Sequence, residues 1–344
     1  MTSNSRQVAL VVGASRGIGR QIAIDLAKAG YTVVVAAKST TSPSDLANLS
    51  PFPPDPNSPQ STITTVAREI TLAGGHATAL PVDTTNPASI QQLVAKTIEL
   101  HARLDILIYN AGAIWWAPVA STPLKRFQLM QRVNVEGLYA VLQAALPHLK
   151  GIYEEQQKGN REQPGRTKEG SRGNQEQQQG GPRIVVVCPP IYSRFFRGKT
   201  AYAVGKVGMS VLVKGLGMDF VREGVLGDGG VGGMAITGIW PAVAIESGAT
   251  GRFTRNDPSY ARDLRKATIF SEAVLAMIRA PASVVNGQLE LDEDFLRSHA
   301  GVTDFSGYSV APGSTPRRIM PAELPDLTVR EQDDEGMRTD SSKL

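Results

Sequence analysis

Val8-Ala9-Leu10-Val11-Val12-Gly13-Ala14-Ser15-Arg16-Gly17-Ile18-Gly19 decides the fold. Five consecutive apolar residues are too few for a helix, and they read as a strand buried on both faces, as in a parallel sheet. Gly13, Gly17 and Gly19 then predict a tight turn leading straight into a helix. Gly13 permits the turn, Gly17 lets a phosphate approach the backbone, and Gly19 lets helix pack on strand. Ile22, Ala23, Leu26 and Ala27 keep helical spacing up to a stop at Gly30. Residues 32–37 read as a second strand, completing a βαβ opening. A glycine pattern alone is weak evidence, but this one has the required strand before it and helix after it. The helix start offers free amides to a pyrophosphate, so Gly13, Ser15, Arg16, Gly17, Ile18 and Gly19 are candidate dinucleotide contacts.

The alternation continues outward. Helices are expected at 62–72, 87–101, 124–150, 202–220 and 268–279, and strands at 77–82, 105–109, 183–188, 235–240 and 287–291. This predicts an α/β, Rossmann-type doubly wound parallel sheet of about seven strands flanked by helices. Residues 1–300 are expected to form one domain with insertions near 39–61, 151–181 and 227–233. The stretch 151–181 has almost no apolar residues and is expected to be a disordered surface loop. Residues 301–344 are expected to be an extended tail, packed along the surface or mobile. Ligands of such sheets bind beyond the C-terminal strand ends, where Gly13, Asp83, Asn110, Cys188 and Pro241 all fall.

Composition narrows the class. The chain has 344 residues, 41% of them hydrophobic, enough for a large core. Its single cysteine excludes a disulfide framework and a cysteine-rich metal site. A net charge of +4 without any lysine–arginine block argues against nucleic acid as a partner. No apolar run is long enough to span a bilayer, and no signal peptide precedes the first strand. Ser342-Lys343-Leu344 matches the peroxisomal import tripeptide. It predicts an import receptor as partner and the peroxisomal matrix as location.

Tyr202 and Lys206 lie four apart on a helix and so share a face. A free phenol titrates near 10, and a neighbouring ammonium is expected to lower it, making Tyr202 a candidate acid/base. The bland alternative is a buried tyrosine beside a surface lysine. The second strand ends in Ala37-Lys38-Ser39-Thr40 with no acid before Asp45. Lys38 and Arg16 suit a 2′-phosphate, which favours NADPH/NADP+, unless Lys38 merely reaches solvent. Asp83 is expected either to accept from an adenine amine or to cap its own turn. Asn110, Ala111 and Gly112 leave room for adenine and ribose. Trp115, Trp116, Phe195 and Phe196 could wall an apolar cleft, or belong to a core or oligomer face. Residues 244–255 are expected to form a substrate lid.

Together these pieces resemble the short-chain dehydrogenase/reductase family over roughly residues 7–291. The resemblance is carried by Gly13-Ala14-Ser15-Arg16-Gly17-Ile18-Gly19, Asn110-Ala111-Gly112, Asn134-Val135-Glu136-Gly137, and Tyr202 with Lys206. Ala36-Ala37-Lys38, Ala73-Gly74-Gly75, Pro123-Leu124-Lys125-Arg126-Phe127 and Pro189-Pro190 resemble its hydroxysteroid dehydrogenase-like protein 2 subgroup. The resemblance implies Lys206 on the nicotinamide ribose, Asn134 holding a relay water, a homodimer or homotetramer, and a small apolar carbonyl or alcohol substrate. Subgroup members are often peroxisomal. Some carry a sterol-carrier domain, for which the stretch after Leu291 is too short. Two departures stand out. The serine expected thirteen positions before Tyr202 is Pro189, which has no donor at all. Val243 stands where the family often has threonine. Ser193 is the favoured substitute for the serine, with Cys188, Tyr192 or no replacement as alternatives. An NADP(H)-binding protein with little redox activity, acting as a cyclase, isomerase or regulatory partner, is therefore the second expectation.

Overall fold

A computed structural model describes residues 6–162, 180–191, 196, 198–227 and 232–323. The seven apolar segments become β1 (Val8–Val12), β2 (Thr32–Ala37), β3 (His76–Pro81), β4 (Ile106–Tyr109), β5 (Arg183–Val187), β6 (Ala235–Trp240) and β7 (Leu289–Leu291). They form one sheet in the order β3-β2-β1-β4-β5-β6-β7, every pair parallel. All five residues of β1 and of β5 are buried, because helices cover both faces. One face carries α1 (Gly17–Lys28), α3 (Ile63–Leu72), α9 (Ala267–Arg279) and α11 (Asp292–His299), through Ile22, Leu26, Val66, Phe270 and Phe295. The other carries α4 (Pro87–His101), α6 (Gly137–Glu162) and α7 (Thr200–Arg222), through Leu93, Leu138, Val141, Met209 and Phe220. The strand order reverses between β1 and β4, opening a crevice at their C-terminal ends.

Local chemistry sets the helix starts. Asn86 caps α4 by accepting from Ala88 N and Ser89 N, with Pro87 at the first position. Thr62 and Thr65 form a reciprocal capping box on α3. Arg16, in contrast, gives α1 no side-chain cap; Gly17 N is taken by Pro56 O, which leaves the amides after it to meet a ligand.

Three expectations are revised and one is narrowed. The region 124–150 is two helices, α5 (Leu124–Gln131) and α6, joined by a π-helical turn at Arg132–Glu136. The expected loop at 151–181 is helical up to Glu162. Glu, Gln and Lys are good helix formers without any apolar face, and Lys150 pairs with Glu223 at the end of α7. Residues 163–179 lie outside the described ones, as do 228–231 and 324–344, which include Ser342-Lys343-Leu344. The insertion 39–61 contains a short helix, α2 (Pro43–Asn48), and is docked rather than irregular throughout. Finally, the tail as far as Pro321 is strapped down. Arg318 pairs bidentately with Asp294, Met320 is buried against Ala242 and Leu291, and Arg265 donates to Phe305 O and Ser309 Oγ. Two short helices, α8 (Gly251–Asn256) and α10 (Ala282–Val285), complete the chain.

Candidate active site

The glycine turn is a close backbone contact. Gly13 has φ +89°, and a Cβ there would lie 2.5 Å from Ala111 N. A Cβ on Gly19 would lie 2.2 Å from Gly13 O, so neither position tolerates a side chain. Asn110 Nδ2 donates to Gly13 O at 2.8 Å and ties the end of β4 to this turn. The 39–61 insertion is fastened to the same turn. Gly17 N donates to Pro56 O at 2.9 Å, and Ser61 Oγ to Ser15 O at 2.7 Å.

Two adjoining cavities run along the strand ends. One, of about 910 Å³, extends from Arg16, Gly17 and Ile18 past Asn110 and Gly112 to Tyr202, Lys206 and Pro241. The other, of about 470 Å³, is bounded by Gly13, Ser15, Lys38, Asp83 and Ala111 and shares Arg16, Asn110 and Gly112 with the first. The sequence reading missed Asp55, Asn57 and Ser58, which line the larger cavity. Asn57 Oδ1 is buried without a hydrogen-bond partner, a polar group left for something in the cleft to satisfy. Nothing in the Ser/Pro-rich insertion signals this, because only the fold brings it over α1. An elongated cleft, an uncapped helix start and a side-chain-free turn together fit a dinucleotide.

Lys38 donates to Asp83 Oδ2 at 2.7 Å, and this bond is the main reason the Asp83 carboxyl is held down to about 2. Asp83 also caps its turn, accepting from Thr85 N and Thr85 Oγ1. Both partners sit at the cleft mouth, with the Lys38 side chain 79% exposed. An ion pair this exposed is worth little, so Lys38 can swing to another anion at small cost.

Tyr202 and Lys206 lie one turn apart on α7, both buried. Lys206 Nζ donates to Val187 O at 2.7 Å and lies 5.5 Å from the Trp240 ring centre. Burial pushes the Lys206 ammonium down to about 8. Burial also raises the Tyr202 phenol above its ordinary value. This reverses the expected lowering: desolvation outweighs Lys206, and without further charge in the cleft Tyr202 is a protonated donor. Asn134 sits in the π-helical turn, fully buried. Its Oδ1 accepts from Ala113 N at 2.9 Å, and its Nδ2 donates to Ala113 O. A Cβ on Gly112 would lie 3.4 Å from Lys206 Nζ and 3.5 Å from Asn134 Oδ1. Lys206 and Asn134 thus flank one glycine, whose missing side chain leaves space between them.

Among the substitutes for the missing serine, Cys188 is turned into the core. It is fully buried in the cluster beneath α6 and α7, and burial pushes its thiol up to about 12. The Pro189 carbonyl is engaged by Ser210 Oγ at 2.6 Å, which anchors the β5 exit to α7. Ser193, Tyr192 and Phe195 lie outside the described residues.

The open side of the cleft is aromatic. Trp116 meets Tyr202 edge-on at 6.3 Å and stacks on Phe253 of α8 at 6.2 Å. Trp115, Phe127 and Phe196 pack around Tyr202 as a small apolar cluster. The peptide after Pro241 is fixed from two sides. Asp292 Oδ1 accepts from Ala242 N at 2.8 Å, and Ile319 N donates to Ala242 O at 2.8 Å. Burial lifts the Asp292 carboxyl to about 7.

Known proteins share this architecture. A family model described as short chain dehydrogenase matches residues 7–49 and 57–160, leaving out the centre of the docked insertion. Hydroxysteroid dehydrogenase-like protein 2 of Danio rerio is 31% identical over 305 residues, 88% of this chain and 60% of that protein. The protein of the same name from Homo sapiens is 30% identical over the same shares. The chain therefore spans about 60% of the length of these relatives. A crystal structure of a short chain dehydrogenase from Mycobacterium thermoresistibile is 31% identical, with 90% of this chain and 93% of that one covered and a TM-score of 0.68. A crystal structure of a dehydrogenase from Xanthomonas campestris has the same identity and TM-score, over 94% and 98%. An actinorhodin polyketide ketoreductase solved with NADPH, 21% identical over 85% and 97% with a TM-score of 0.60, shares the fold. With these relatives and the sheet order, the chain belongs to the short-chain dehydrogenase/reductase family and has the fold of its oxidoreductases, close to the hydroxysteroid dehydrogenase-like protein 2 subgroup.

Proposed function

We propose that the protein is an NADPH-dependent oxidoreductase that interconverts a carbonyl and an alcohol on an apolar substrate. The observation that carries this reading is that Tyr202 and Lys206 open into the cavity that reaches the side-chain-free turn at Gly17. The cofactor, when bound, supplies or accepts the hydride. Gly13 to Gly19 and the α1 amides would hold its pyrophosphate. Lys38 and Arg16 would meet a 2′-phosphate, Lys38 by leaving Asp83. Tyr202, a protonated phenol in its buried setting, would donate its proton to the carbonyl oxygen. Lys206 would hold the ribose and Asn134 would keep the Gly112–Ala113 peptide in place beside it. Trp115 and Trp116 would wall the reacting face on its open side.

Replacing Tyr202 with Phe removes only the hydroxyl. NADPH affinity by fluorescence titration should stay within about twofold, while carbonyl reduction falls by on the order of 10² or more. Unchanged turnover over a panel of carbonyl compounds would overturn the assignment.

A second reading, a cofactor-binding protein with weak redox activity that serves as a cyclase, isomerase or regulatory partner, is favoured by Pro189 and the inward-facing Cys188. Ser193 is the proposed substitute donor under the first reading. We further propose a homodimer or homotetramer, since Tyr139 of α6 and Val211 and Val221 of α7 are each more than half exposed; light scattering decides its size. Peroxisomal import through Ser342-Lys343-Leu344 is tested by deleting Leu344, which should leave a fluorescent fusion outside peroxisomes.

A further inference from the structure

Beside Tyr202 lies a third recess of about 260 Å³, lined by Ile114, Trp115, Trp116, Gly248, Ala249 and Arg252. It has one charged lining side chain, Arg252, and no carboxylate. The Arg252 guanidinium lies 5.8 Å from the Trp116 ring centre and 4.7 Å from that of Phe253. The Lys199 ammonium converges on the same Trp116 ring at 5.7 Å. Arg252 makes no ion pair among the described residues. A second observation points the same way: Trp115 Nε1 is buried and has no hydrogen-bond partner among the described residues. A buried donor left unmade is costly, and an oxyanion is its natural complement.

We propose that this recess receives a carboxylate carried by the substrate, so that the substrate class is an apolar ketone or alcohol with an acid group at its far end. The inference rests on the carbonyl–alcohol reading above. Arg252 offers the planar fork that matches a carboxylate bidentately, and Trp116 supplies a flat wall for the apolar body between the two ends. The recess stands two steps from the Tyr202 ring, 6.3 Å to Trp116 and 5.8 Å on to Arg252, which suits a carbonyl and a carboxylate separated by about one aromatic ring.

The probes are 4-acetylbenzoate and its neutral counterpart 4-acetylbenzamide, assayed with NADPH. The wild type should prefer the acid in kcat/KM by roughly tenfold, the scale of one charge-assisted hydrogen bond in a half-open site. Arg252→Gln should bring that ratio near one, Arg252→Lys should restore part of it, and NADPH affinity should not change. Equal use of acid and amide by the wild type, or loss of both in the variant to the same degree, overturns the inference and leaves the redox reading standing. If neither probe is reduced, binding to the NADP+ complex is followed by tryptophan quenching. Arg252-dependent binding of the acid then supports the recess while the redox reading falls, and binding that ignores Arg252, or its absence, overturns the recess.

Discussion

Asp292→Asn should change the pH dependence of stability more than stability itself. Asp292 is fully buried, and its Oδ1 accepts from Ala242 N and Glu293 N, both at 2.8 Å. Burial lifts its carboxyl from 3.8 to about 7 in the fold. A raised carboxyl means that the folded protein holds a proton that the unfolded chain has lost. Stability from this group is therefore full below about 4, falls as pH rises, and is flat above about 7. At 1.36 kcal/mol per unit, the loss across that window is about 4 kcal/mol. The Glu293 and Asp294 carboxylates add to the upward push, while the hydrogen bonds from Ala242 N and Glu293 N oppose it. Asparagine keeps the accepting oxygen and cannot ionise. Its amide adds a buried donor whose penalty, ~1–3 kcal/mol, does not vary with pH. Urea unfolding at pH 4.5 and pH 8 should thus show the variant gaining on the wild type by ~2–4 kcal/mol between the two conditions. An offset that is the same at both pH values would refute the claim that Asp292 is held as an acid.

Two further outcomes follow from the site. Lys38→Ala should weaken NADPH by roughly tenfold while leaving NADH nearly unchanged, measured by titration at low salt, since a charged contact to phosphate is the term removed. Asn134→Ala should cost ~1–3 kcal/mol, read from the thermal or chemical midpoint, because Ala113 N and Ala113 O both lose their partner in a half-buried place.

The sheet was legible because parallel strands covered on both faces have to be mostly apolar, as 8–12, 106–109 and 184–187 are. Strand ends slid by a residue or two where polar neighbours such as Asp105 are themselves buried. The π-helical turn that holds Asn134 was not legible, because 124–150 keeps an unbroken helical pattern with no glycine or proline before Gly137. The docking of Asn57 over α1 was hidden for another reason: a polar, proline-rich stretch reads as loop whatever it touches. The Tyr202 phenol was misjudged because spacing places Lys206 nearby but carries no measure of burial, and burial sets the sign here. The strap formed by Arg318 and Met320 depends on long-range partners, Asp294 and Ala242, that no local periodicity announces.

Cys188 has a practical consequence. It is the chain's one thiol, buried at the exit of β5 beneath α7 and pushed up to about 12. A disulfide reagent can reach it only when the packing of α7 on the β5 exit opens. The rate of its labelling is therefore a stopwatch on opening around α7 and the β5 exit, free of background from any other sulfhydryl. Because the residue before it, Val187, lines the larger cavity, slowing of that stopwatch by a nucleotide would read cofactor affinity from the inside, with no need for a substrate.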